Sequence, residues 1–550
     1  MTPLSFEKGY SKLMRWDAIA VFIFFFLLVT VLGFVAARWR RGDLNQIHEW
    51  GLAGRRFGTV ITWFLLGGDL YTAYTFIAVP AALYGAGALS GWFAVPYTVL
   101  VYPFIYVIMP RFWSVCKKHN YVTAADFVRG RFGSRWLALA IAFTGILATM
   151  PYIALQMFGI QVSLEAIGFP TVIPIFGVDV DLPLIVAFLI LAAYTYSSGL
   201  RAPAMIALVK DVMIFIVLFA TIIYIPYKLG GFSKIFDAAH MKTLAAATTA
   251  KAKGTAPAFN DLLGSNQYLA YATLALGSAL ALFLYPHSLT SILSSNSVKV
   301  IKRNVSLLPI YSLMLGLLAL LGYMAIAAKV KPLADLGNNG SIPALINAFF
   351  PSWFSGFAFA AIAIGALVPA AVMSIAAANL FTRNIYIEFF HRNANETQET
   401  NVAKMTSFLI KFGALLFIVF LDKSIVINFQ LLGGVWILQT LPAVFFGLYT
   451  RWFNRWALLI GWLVGMVFGT WTVFSNNIKS TAPIDFWFIH VPAVYAAISG
   501  VILNLVLAVI LTPVFEMIGA GRGADITQPE DYAEATAPVE PPEIGQEALG

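Results

Sequence analysis

Long apolar runs dominate the chain, and short connectors that hold most of the basic residues separate them. Each run is about twenty residues long, the length that a helix needs to cross a hydrocarbon core of about 30 Å. Because the runs are continuously apolar and do not alternate with polar residues, they predict spanning helices and not the strands of a barrel. The pattern predicts about thirteen spans, near residues 17–37, 57–82, 87–110, 136–168, 183–198, 202–227, 266–287, 305–328, 353–382, 403–422, 425–449, 456–475 and 490–516.

Composition agrees with this pattern. Hydrophobic residues make up 60% of the 550 residues and charged residues only 11%, whereas a soluble domain carries about a quarter charged residues. The net charge of +9 would suit nucleic acid, but the basic residues lie in connectors on one side of the predicted spans, at 38–56, 111–135, 201, 299–303, 383–404 and 451–455. This positive-inside pattern predicts a bilayer and no nucleic acid as partner, with the N-terminus outside and the C-terminus in the cytoplasm.

Two polar segments lie outside the predicted spans. Residues 228–265, rich in Ala, Lys and Thr, predict a long outer loop with a short interfacial helix. Residues 519–550 are acidic and rich in Pro and Glu, which predicts a disordered tail because such a segment cannot bury a core. The single cysteine, Cys116, excludes an intramolecular disulfide and an all-cysteine metal site. No motif indicates an enzyme, a cofactor or a metal centre.

A carboxylate follows two glycines in the middle of the second predicted span, in the sequence Gly67-Gly68-Asp69. Charged residues inside spans are costly and are functional candidates by default. Paired glycines at this depth predict a broken helix, whose free carbonyls bind a cation and whose second half presents a helix N-terminus to an anion. The alternative is a flexible, continuous helix with a buried ion pair.

Lys210 and Asp211 are adjacent charged residues about two turns into the sixth predicted span. Neighbouring residues on a helix point about 100° apart, so the two should not share a partner. We expect Lys210 to reach Asp69 and Asp211 to face a water-filled cytoplasmic path. The alternative is that both lie near the cytoplasmic mouth and extend to the surface. His287, after Pro286, predicts either a proton relay or an ordinary hydrogen bond at a helix end.

Several segments between about residues 50 and 470 resemble motifs of the solute:sodium symporter family, in the order in which that family carries them. They are Leu52 to Arg56 leading into the Gly-Gly-Asp helix and Pro80, Tyr194 to Ala202 followed by Lys210 to Val212, Pro286-His287, Phe381 to Tyr386, and Pro442 with Gly447-Leu448.

The resemblance implies an all-α polytopic membrane protein with a five-plus-five inverted-repeat, LeuT-like core. On this basis residues 1–50 form an extra N-terminal helix and its connector, 51–450 the core, 451–518 two C-terminal helices and 519–550 the tail. The implied location is the bacterial cytoplasmic, or inner, membrane.

Members of the family that use sodium hold it with carbonyls of the broken helix and with two adjacent hydroxyl residues on the eighth core helix. Carried over, the carbonyls belong to Gly68 and Tyr71. One alignment puts the hydroxyl positions at Val368 and Pro369, and another puts them at Ser374 and Ile375. Neither alignment supplies two hydroxyls, so a sodium site of Gly68, Tyr71 and Ser374 is the second choice.

The family's threonine before the core aspartate is Lys210 in this chain. A cation held covalently near the sodium position would remove the need for the ion. The resemblance therefore predicts that Lys210 replaces sodium and that Asp69 or Asp211 carries a proton, with Na+ as the alternative coupling ion.

The polar cluster that sugar transporters of the family use maps onto the small residues Ala94, Ser278, Ala281 and Ser312. They offer a polyol few hydrogen bonds, which favours a compact substrate. The overall pattern resembles the family's bacterial monocarboxylate permeases, which implies symport of lactate, pyruvate and sometimes alanine. The carboxylate is expected at the N-terminus of the second half-helix, with donors among Leu70, Tyr71, Thr72, Tyr74, Thr75 and Gln439.

Two other functions stay open at this point. One is sodium-coupled uptake of a short carboxylate or an amino acid. The other, from a different class, is a membrane sensor for a separate signalling kinase, as some relatives are. The sequence leaves the oligomeric state undecided.

Overall fold

A computed structural model describes residues 15–39, 42–68, 70–169, 173–175, 178–420, 426–486 and 489–534. The α-helices of the first half are α1 (Trp16–Val35), α2 (Ile47–Leu52), α3 (Thr59–Gly68), α4 (Val79–Ala86), α5 (Ala88–Gly91), α6 (Ala94–Lys118), α7 (Ala124–Phe132), α8 (Arg135–Ala166), α9 (Leu182–Ser198), α10 (Arg201–Leu229) and α11 (Phe232–Lys253).

The α-helices of the second half are α12 (Tyr268–Leu282), α13 (Pro286–Leu293), α14 (Val298–Leu307), α15 (Pro309–Ala319), α16 (Leu321–Ala327), α17 (Ser341–Phe349), α18 (Ser352–Phe381), α19 (Glu396–Phe420), α20 (Val426–Leu438), α21 (Gly447–Tyr449), α22 (Arg455–Ser475) and α23 (Ala496–Met517). Segments of π-helix cover Tyr74–Ala78, Thr382–Phe390 and Pro442–Phe446. Short 3-10 turns cover Ala36–Arg38, Ala53–Arg55, Ser265–Gln267, Ala334–Gly340 and Pro529–Tyr532.

The helices confirm an all-α polytopic protein. Within the described residues, 9 helices are long and apolar enough to cross a membrane, and a bent pair, α12 with α13, would make 10. The other predicted spans correspond to α3 with α4, to α9 and to α19, which do not meet that test as single helices. The count of thirteen, like the orientation of the termini, stays a prediction.

Two spans are broken in the middle. Helix α3 ends at Gly68, and regular hydrogen bonding resumes in the π-helical segment Tyr74–Ala78, which leads directly into α4. The break predicted from the paired glycines is therefore present. Further along the chain, α12 and α13 meet at 48°. Pro286 begins α13, a position where its missing N–H costs no hydrogen bond.

Helix α18 forms the centre of the bundle. It is rich in alanine and almost wholly buried, and it packs along α8, α1, α10 and α19. Small side chains let the neighbouring helices approach closely. The C-terminal helices α22 and α23 pack along each other, and a Cβ atom on Gly461 would lie 2.5 Å from the Asn504 carbonyl oxygen. The glycines of α22 therefore serve packing inside the chain.

Two short antiparallel hairpins accompany the helices. Strands β1 (Ile173–Ile175) and β2 (Val178–Val180) pair with Ile173 opposite Val180. Strands β3 (Thr481–Phe486) and β4 (Ile489–Tyr495) pair with Thr481 opposite Tyr495. The last predicted span was placed at 490–516, but its first residues form β4, and α23 begins only at Ala496.

The segments outside the bundle are more ordered than predicted. The outer segment 228–265 contains the 22-residue helix α11. The predicted disorder of the tail is wrong for residues 519–534, since the Ile526 N–H donates to the Gly130 carbonyl at 3.0 Å and Tyr532 is only 5% exposed. The partners of the acidic tail are basic connectors on the same side of the bundle, and composition alone did not indicate this pairing. Residues 535–550 lie outside the described residues.

Candidate functional site

The break after α3 depends on Gly67 and Gly68. A Cβ atom on Gly67 would lie 2.4 Å from the Tyr311 ring, and one on Gly68 would lie 2.7 Å from Lys210 Nζ. Both distances are shorter than atomic contact allows. Only glycine therefore lets Tyr311 and Lys210 approach the backbone of α3 this closely.

The Lys210 ammonium fills the break. Its Nζ atom donates to the carbonyl oxygens of Gly68, at 2.5 Å, and Tyr71, at 3.2 Å, and lies 3.0 Å from Asp211 Oδ1. Two of the three N–H donors of the ammonium ion thus have a carbonyl acceptor, and the ion pair with Asp211 compensates its charge. Lys210 and Asp211 are both 0% exposed, so the alternative in which they extend to the surface is wrong.

Asp211 is held from two sides. Its Oδ1 faces Lys210, and its Oδ2 accepts a hydrogen bond from the Tyr311 hydroxyl at 2.8 Å. The Tyr71 ring lies 4.8 Å from the Tyr311 ring, and its hydroxyl donates to the Tyr311 carbonyl. Asp211 therefore does not face a water-filled path in this structure, and its partner is the adjacent Lys210. Asp69, the expected partner of Lys210, lies outside the described residues.

The N-terminus of the second half-helix is already capped. The Thr72 N–H donates to Thr75 Oγ1 at 3.0 Å, the Ala73 N–H to Gln156 Oε1 at 3.2 Å and the Tyr74 N–H to Thr72 Oγ1 at 3.1 Å. Side-chain oxygens thus satisfy the donors that were expected to bind a substrate carboxylate. In this conformation the carboxylate position predicted around Leu70 to Thr72 is not open.

A cavity beside the half-helix offers another position. It encloses about 360 Å³ of space, part of it open to solvent, and its wall includes Tyr74, Phe93, Tyr97, Tyr152 and Tyr495. Three polar atoms at this cavity, Ser278 Oγ, Tyr285 OH and Gln430 Oε1, are buried and form no hydrogen bond with the described residues. Buried polar atoms of this kind are costly unless something binds them. In this conformation the cavity has room for about one water molecule, and its unsatisfied polar atoms make it a candidate position for a small molecule with few polar groups once it widens.

A second cavity lies further along α20, towards α7. It is lined by Thr123 before α7, by Ala124 of α7, by Thr290 of α13 and by Thr440 after α20. The ring of His287 lies 5.4 Å from Tyr152 and 5.2 Å from Tyr285, at the wall of the first cavity. Both cavities are thus lined by the α12–α13 and α20 segments, and α7, at the second one, belongs to a connector predicted to be cytoplasmic.

Two predicted residues lie away from the break. Gln439 contacts the C-terminal helices, since its Oε1 would lie 2.3 Å from a Cβ on Gly465 and its carbonyl accepts from Asn504 Nδ2 at 2.9 Å. Ser374 is 374 − 365 = 9 residues beyond Gly365 on α18, whose added Cβ would approach the Tyr71 carbonyl at 3.7 Å. Nine residues are two and a half helical turns, so Ser374 lies about 14 Å further along α18 and on its opposite face, and the second-choice sodium site is not assembled in this structure.

Sequence reasoning missed some residues of the site. Gln156 lies inside the predicted span 136–168, and a polar side chain in an apolar run was an available signal. Tyr311 gave no such signal, because it is 100 residues from Asp211 and tyrosine is common in spans. The cavity residues Tyr285 and Gln430 come from distant segments that only the fold brings together.

The sequence pattern described as "Sodium:solute symporter family" matches residues 50–465. The chain belongs to the sodium:solute symporter family. Family membership confirms the resemblance seen in the motifs and makes the protein a solute symporter.

Relatives of this symporter occur in bacteria. A Rhizobium johnstonii protein named "Monocarboxylate transport permease protein" is 57% identical over 463 residues, which cover 84% of this chain and 90% of the relative. The Bacillus subtilis "Uncharacterized symporter YodF" is 31% identical over 490 residues, covering 89% of this chain and 92% of its own.

The fold of the symporter has a counterpart among solved structures. A substrate-bound, outward-open Na+-coupled sialic acid symporter superposes with a TM-score of 0.68 at 16% identity, covering 91% of this chain and 98% of its own. This likeness supports the predicted LeuT-like architecture and carries no information on substrate. The members of the family and this structural neighbour are transporters and not enzymes.

Proposed function

We propose that the protein is a proton-coupled symporter of small monocarboxylates such as lactate and pyruvate, with alanine as a further candidate. The printed name of the Rhizobium relative, at 57% identity, supports the substrate class. The cavity beside Tyr74 supports it as well, because its wall is largely aromatic and includes no charged side chain. Such a wall suits a compact molecule with few hydrogen-bonding groups.

The observation that carries the coupling proposal is the position of Lys210 Nζ. It contacts the carbonyl oxygens of Gly68 and Tyr71, which the family resemblance assigns to sodium. A covalently held ammonium supplies a permanent positive charge between these half-helix ends. A sodium ion is then not required to hold the broken helix together.

The unpartnered atoms of the cavity suit a short hydroxy or oxo acid. The hydroxyls of Ser278 and Tyr285 are able to donate to a carboxylate, and Gln430 Oε1 is able to accept from a 2-hydroxyl group. Lactate has that hydroxyl and pyruvate does not, so Gln430 would favour lactate. Tyr74 is the one residue of the predicted substrate set that lines this cavity.

A proton would balance the charge of the substrate. A carboxylate that enters an uncharged, mostly apolar cavity is costly unless a positive charge accompanies it. Asp211 is already engaged by Lys210 and Tyr311. We therefore assign the proton to Asp69, the remaining predicted carrier: neutral Asp69 admits the anion, and ionised Asp69 repels it.

Sodium coupling is the second candidate. Two observations favour it: the printed name of the family, and the Na+-coupled sialic acid symporter that shares the fold. A sodium ion would then bind at a position other than the one that Lys210 fills.

Uptake into proteoliposomes separates the two candidates. Labelled lactate or pyruvate is offered under an inward proton gradient without sodium, and in parallel under an inward sodium gradient at equal pH on both sides. Accumulation driven by protons alone is the expected result. Accumulation that requires sodium would overturn the proton proposal and favour the second candidate.

The Asp69→Asn variant tests the assigned carrier. Because the amide cannot ionise, we expect proton-driven accumulation to be abolished. Asp237→Asn, on the exposed outer helix α11, is the matched control and should behave like the wild type. Unchanged accumulation in Asp69→Asn would remove Asp69 from the mechanism.

A further inference from the structure

A second lysine is buried away from the break. Lys411, on α19, is 1% exposed, and its Nζ donates to Ser407 Oγ at 2.8 Å. Among the described residues no carboxylate pairs with it, and no backbone carbonyl accepts from it. Lys210, by contrast, donates to two backbone carbonyls and pairs with an aspartate. Lys411 is therefore a buried amine with a single neutral partner.

Two hydroxyls extend from Lys411 to the central helix. Ser407 Oγ accepts from Lys411 and donates to Ser374 Oγ at 3.2 Å, and Ser374 Oγ donates to the Ala371 carbonyl at 2.8 Å. Ser407 is 1% exposed and Ser374 is 0% exposed. Each hydroxyl accepts one hydrogen bond and donates another. The chain is thus continuous and directed from α19 to α18.

The elements that pack against α19 bring no charge to Lys411. They are α18, α8, α9, α2 and the π-helical segment Thr382–Phe390, and α18 and α9 carry no charged residue at all. The charged or titratable groups on the others, apart from tyrosines, are Arg135 and Glu165 on α8, His48 and Glu49 on α2, and Arg383 and Glu388 on the π-helical segment.

These groups are engaged elsewhere or lie at helix ends. Glu49 pairs with Arg56 and Arg201, and Arg383 pairs with Asp126 and Glu399. On α19 itself the neighbouring charge is Lys404, two turns from Lys411 and close to the Tyr196 ring.

An ammonium ion buried without a counter-ion is costly, whereas a single hydroxyl satisfies a neutral amine. We propose that Lys411, with Ser407 and Ser374, forms a second proton-binding site in the symporter, where the amine takes up one proton to become an ammonium ion and releases it again. Only N–H and O–H bonds are made and broken, and the ligand is H+ itself.

The proposal has two parts. That Lys411 binds and releases a proton stands on its contacts alone. That this proton takes part in coupling rests on the proposed proton-driven transport. Ser374 lies on the face of α18 away from the break, so the site is distinct from Lys210 and Asp211.

A difference titration tests the first part. Purified protein in unbuffered detergent solution is titrated between about pH 5 and 9, a range in which buried amines titrate. The variants are Lys411→Met, which keeps an unbranched side chain of nearly the same length and removes the amine, and Lys404→Met as the control on the same helix. We expect the wild type to release one proton per chain more than Lys411→Met, and no such difference for Lys404→Met. Superimposable wild-type and Lys411→Met curves would overturn the proposal.

Ser407→Ala provides a second test that does not depend on whether Lys411→Met folds. It keeps the amine and removes its hydrogen-bond partner, so the one-proton step should move along the pH axis. A step at the same pH as in the wild type would also overturn the proposal, since the hydroxyl chain would then play no part.

Transport tests the second part. The measured quantity is the ratio of gradient-driven uptake to exchange of labelled substrate without a gradient. In Lys411→Met this ratio should fall at least about fivefold, the lower end of typical coupling between two binding events. A changed titration with an unchanged ratio would overturn the coupling role. If wild-type uptake does not depend on the proton gradient, the proposed proton-coupled function is wrong. The titration still shows whether Lys411 binds and releases a proton.

Discussion

Two buried lysines are accommodated differently in this membrane protein. Lys210 has two carbonyl acceptors and a paired carboxylate, so its charge is compensated where it stands. Lys411 has one hydroxyl. A compensated ammonium acts as a fixed cation, whereas an uncompensated one has reason to exchange its proton. The same residue type thus suits a structural charge in one place and a titrating group in another.

Replacing Lys210 tests the fixed cation. In Lys210→Thr the Asp211 carboxylate stays buried without its counter-charge, and breaking a buried pair in this way costs about 3–5 kcal/mol. We expect a lower thermal midpoint and impaired uptake in the absence of sodium, both measured on purified and reconstituted protein. The double variant Lys210→Thr/Asp211→Asn should regain stability without regaining uptake. Unchanged rate and pH dependence in Lys210→Thr would contradict the surrogate-cation hypothesis.

Replacing Gly68 tests the close approach at the break. A Cβ atom there would lie 2.7 Å from Lys210 Nζ, so Gly68→Ala should push the ammonium away from its carbonyls. Overpacking costs about 1–3 kcal/mol of folding stability, so we expect a lower thermal midpoint together with a reduced uptake rate. Gly316→Ala is the matched control, since its Cβ would meet Val95 at an ordinary 3.6 Å. Equal uptake by the two variants would refute the argument.

Sequence reasoning at this scale found charges but not their partners. The rule that charged residues inside spans are functional candidates identified Asp69, Lys210 and Asp211. It applies equally to Lys411, in the predicted span 403–422, which was overlooked. The pairing of Asp211 with Tyr311 was beyond reach, because a single sequence does not show which helices pack together.

The second half-helix illustrates how an element is stabilised without continuing its predecessor. Thr72 and Thr75 cap it from within, and Gln156 reaches across from α8. A broken span leaves free N–H groups in a region without water, so side chains must satisfy them. The cap also occupies N–H groups at the helix N-terminus, which is why we place the substrate carboxylate of the proposed function in the neighbouring cavity.

Removing one capping oxygen should loosen this element. In Thr75→Val the Thr72 N–H loses its acceptor, and loss of a helix cap costs about 0.5–2 kcal/mol. We expect a correspondingly lower thermal midpoint. Thr98→Val is the control, because that hydroxyl donates only to carbonyls of its own helix, those of Ala94 and Val95. A midpoint lowered as much by Thr98→Val as by Thr75→Val would show that the cap contributes nothing.

Hydropathy predicted the long helices and misjudged the hairpin β3–β4. An apolar run of strand length looks the same whether it forms a helix or a strand, and Ile489–Tyr495 is rich in β-branched and aromatic residues. That difference matters to the site, since Tyr495 closes the cavity and its hydroxyl donates to the Leu431 carbonyl at 2.8 Å.

The tail connects elements across one face of the whole molecule. Asp525 lies 2.8 Å from Arg131 of α7 and 3.3 Å from Arg451 after α21. Asp531 contacts His119 at the end of α6 at 2.7 Å. Acidic composition predicted disorder, but the same face carries the basic connectors. Charge complementarity between distant segments, which composition does not express, explains the docking.

The docked tail should be insensitive to pH over the physiological range. Burial disfavours the ionised Asp531 carboxylate, but hydrogen bonds from the Gln528 N–H and with His119 hold its pKa below the usual 3.8. A lowered pKa means that Asp531 favours docking above pH 3.8 and that this contribution disappears only as pH falls through the lowered value. From the carboxylate alone, docking should therefore be constant between about pH 5 and 8.

A spin label at the exposed position Ala533→Cys measures docking directly, because the native Cys116 is buried. In the wild type we expect an immobilised label from about pH 5 to 8. Tyr532→Ala removes a buried ring and should make the label mobile. Tyr227→Ala, at a ring that is 78% exposed, is the control and should leave the mobility of the label unchanged. Asp531→Asn mimics the protonated carboxyl and should raise label mobility at every pH in that range. Equal mobility in Asp531→Asn and the wild type would mean that apolar packing of Tyr532, and not the complementary charge, holds the tail against the bundle.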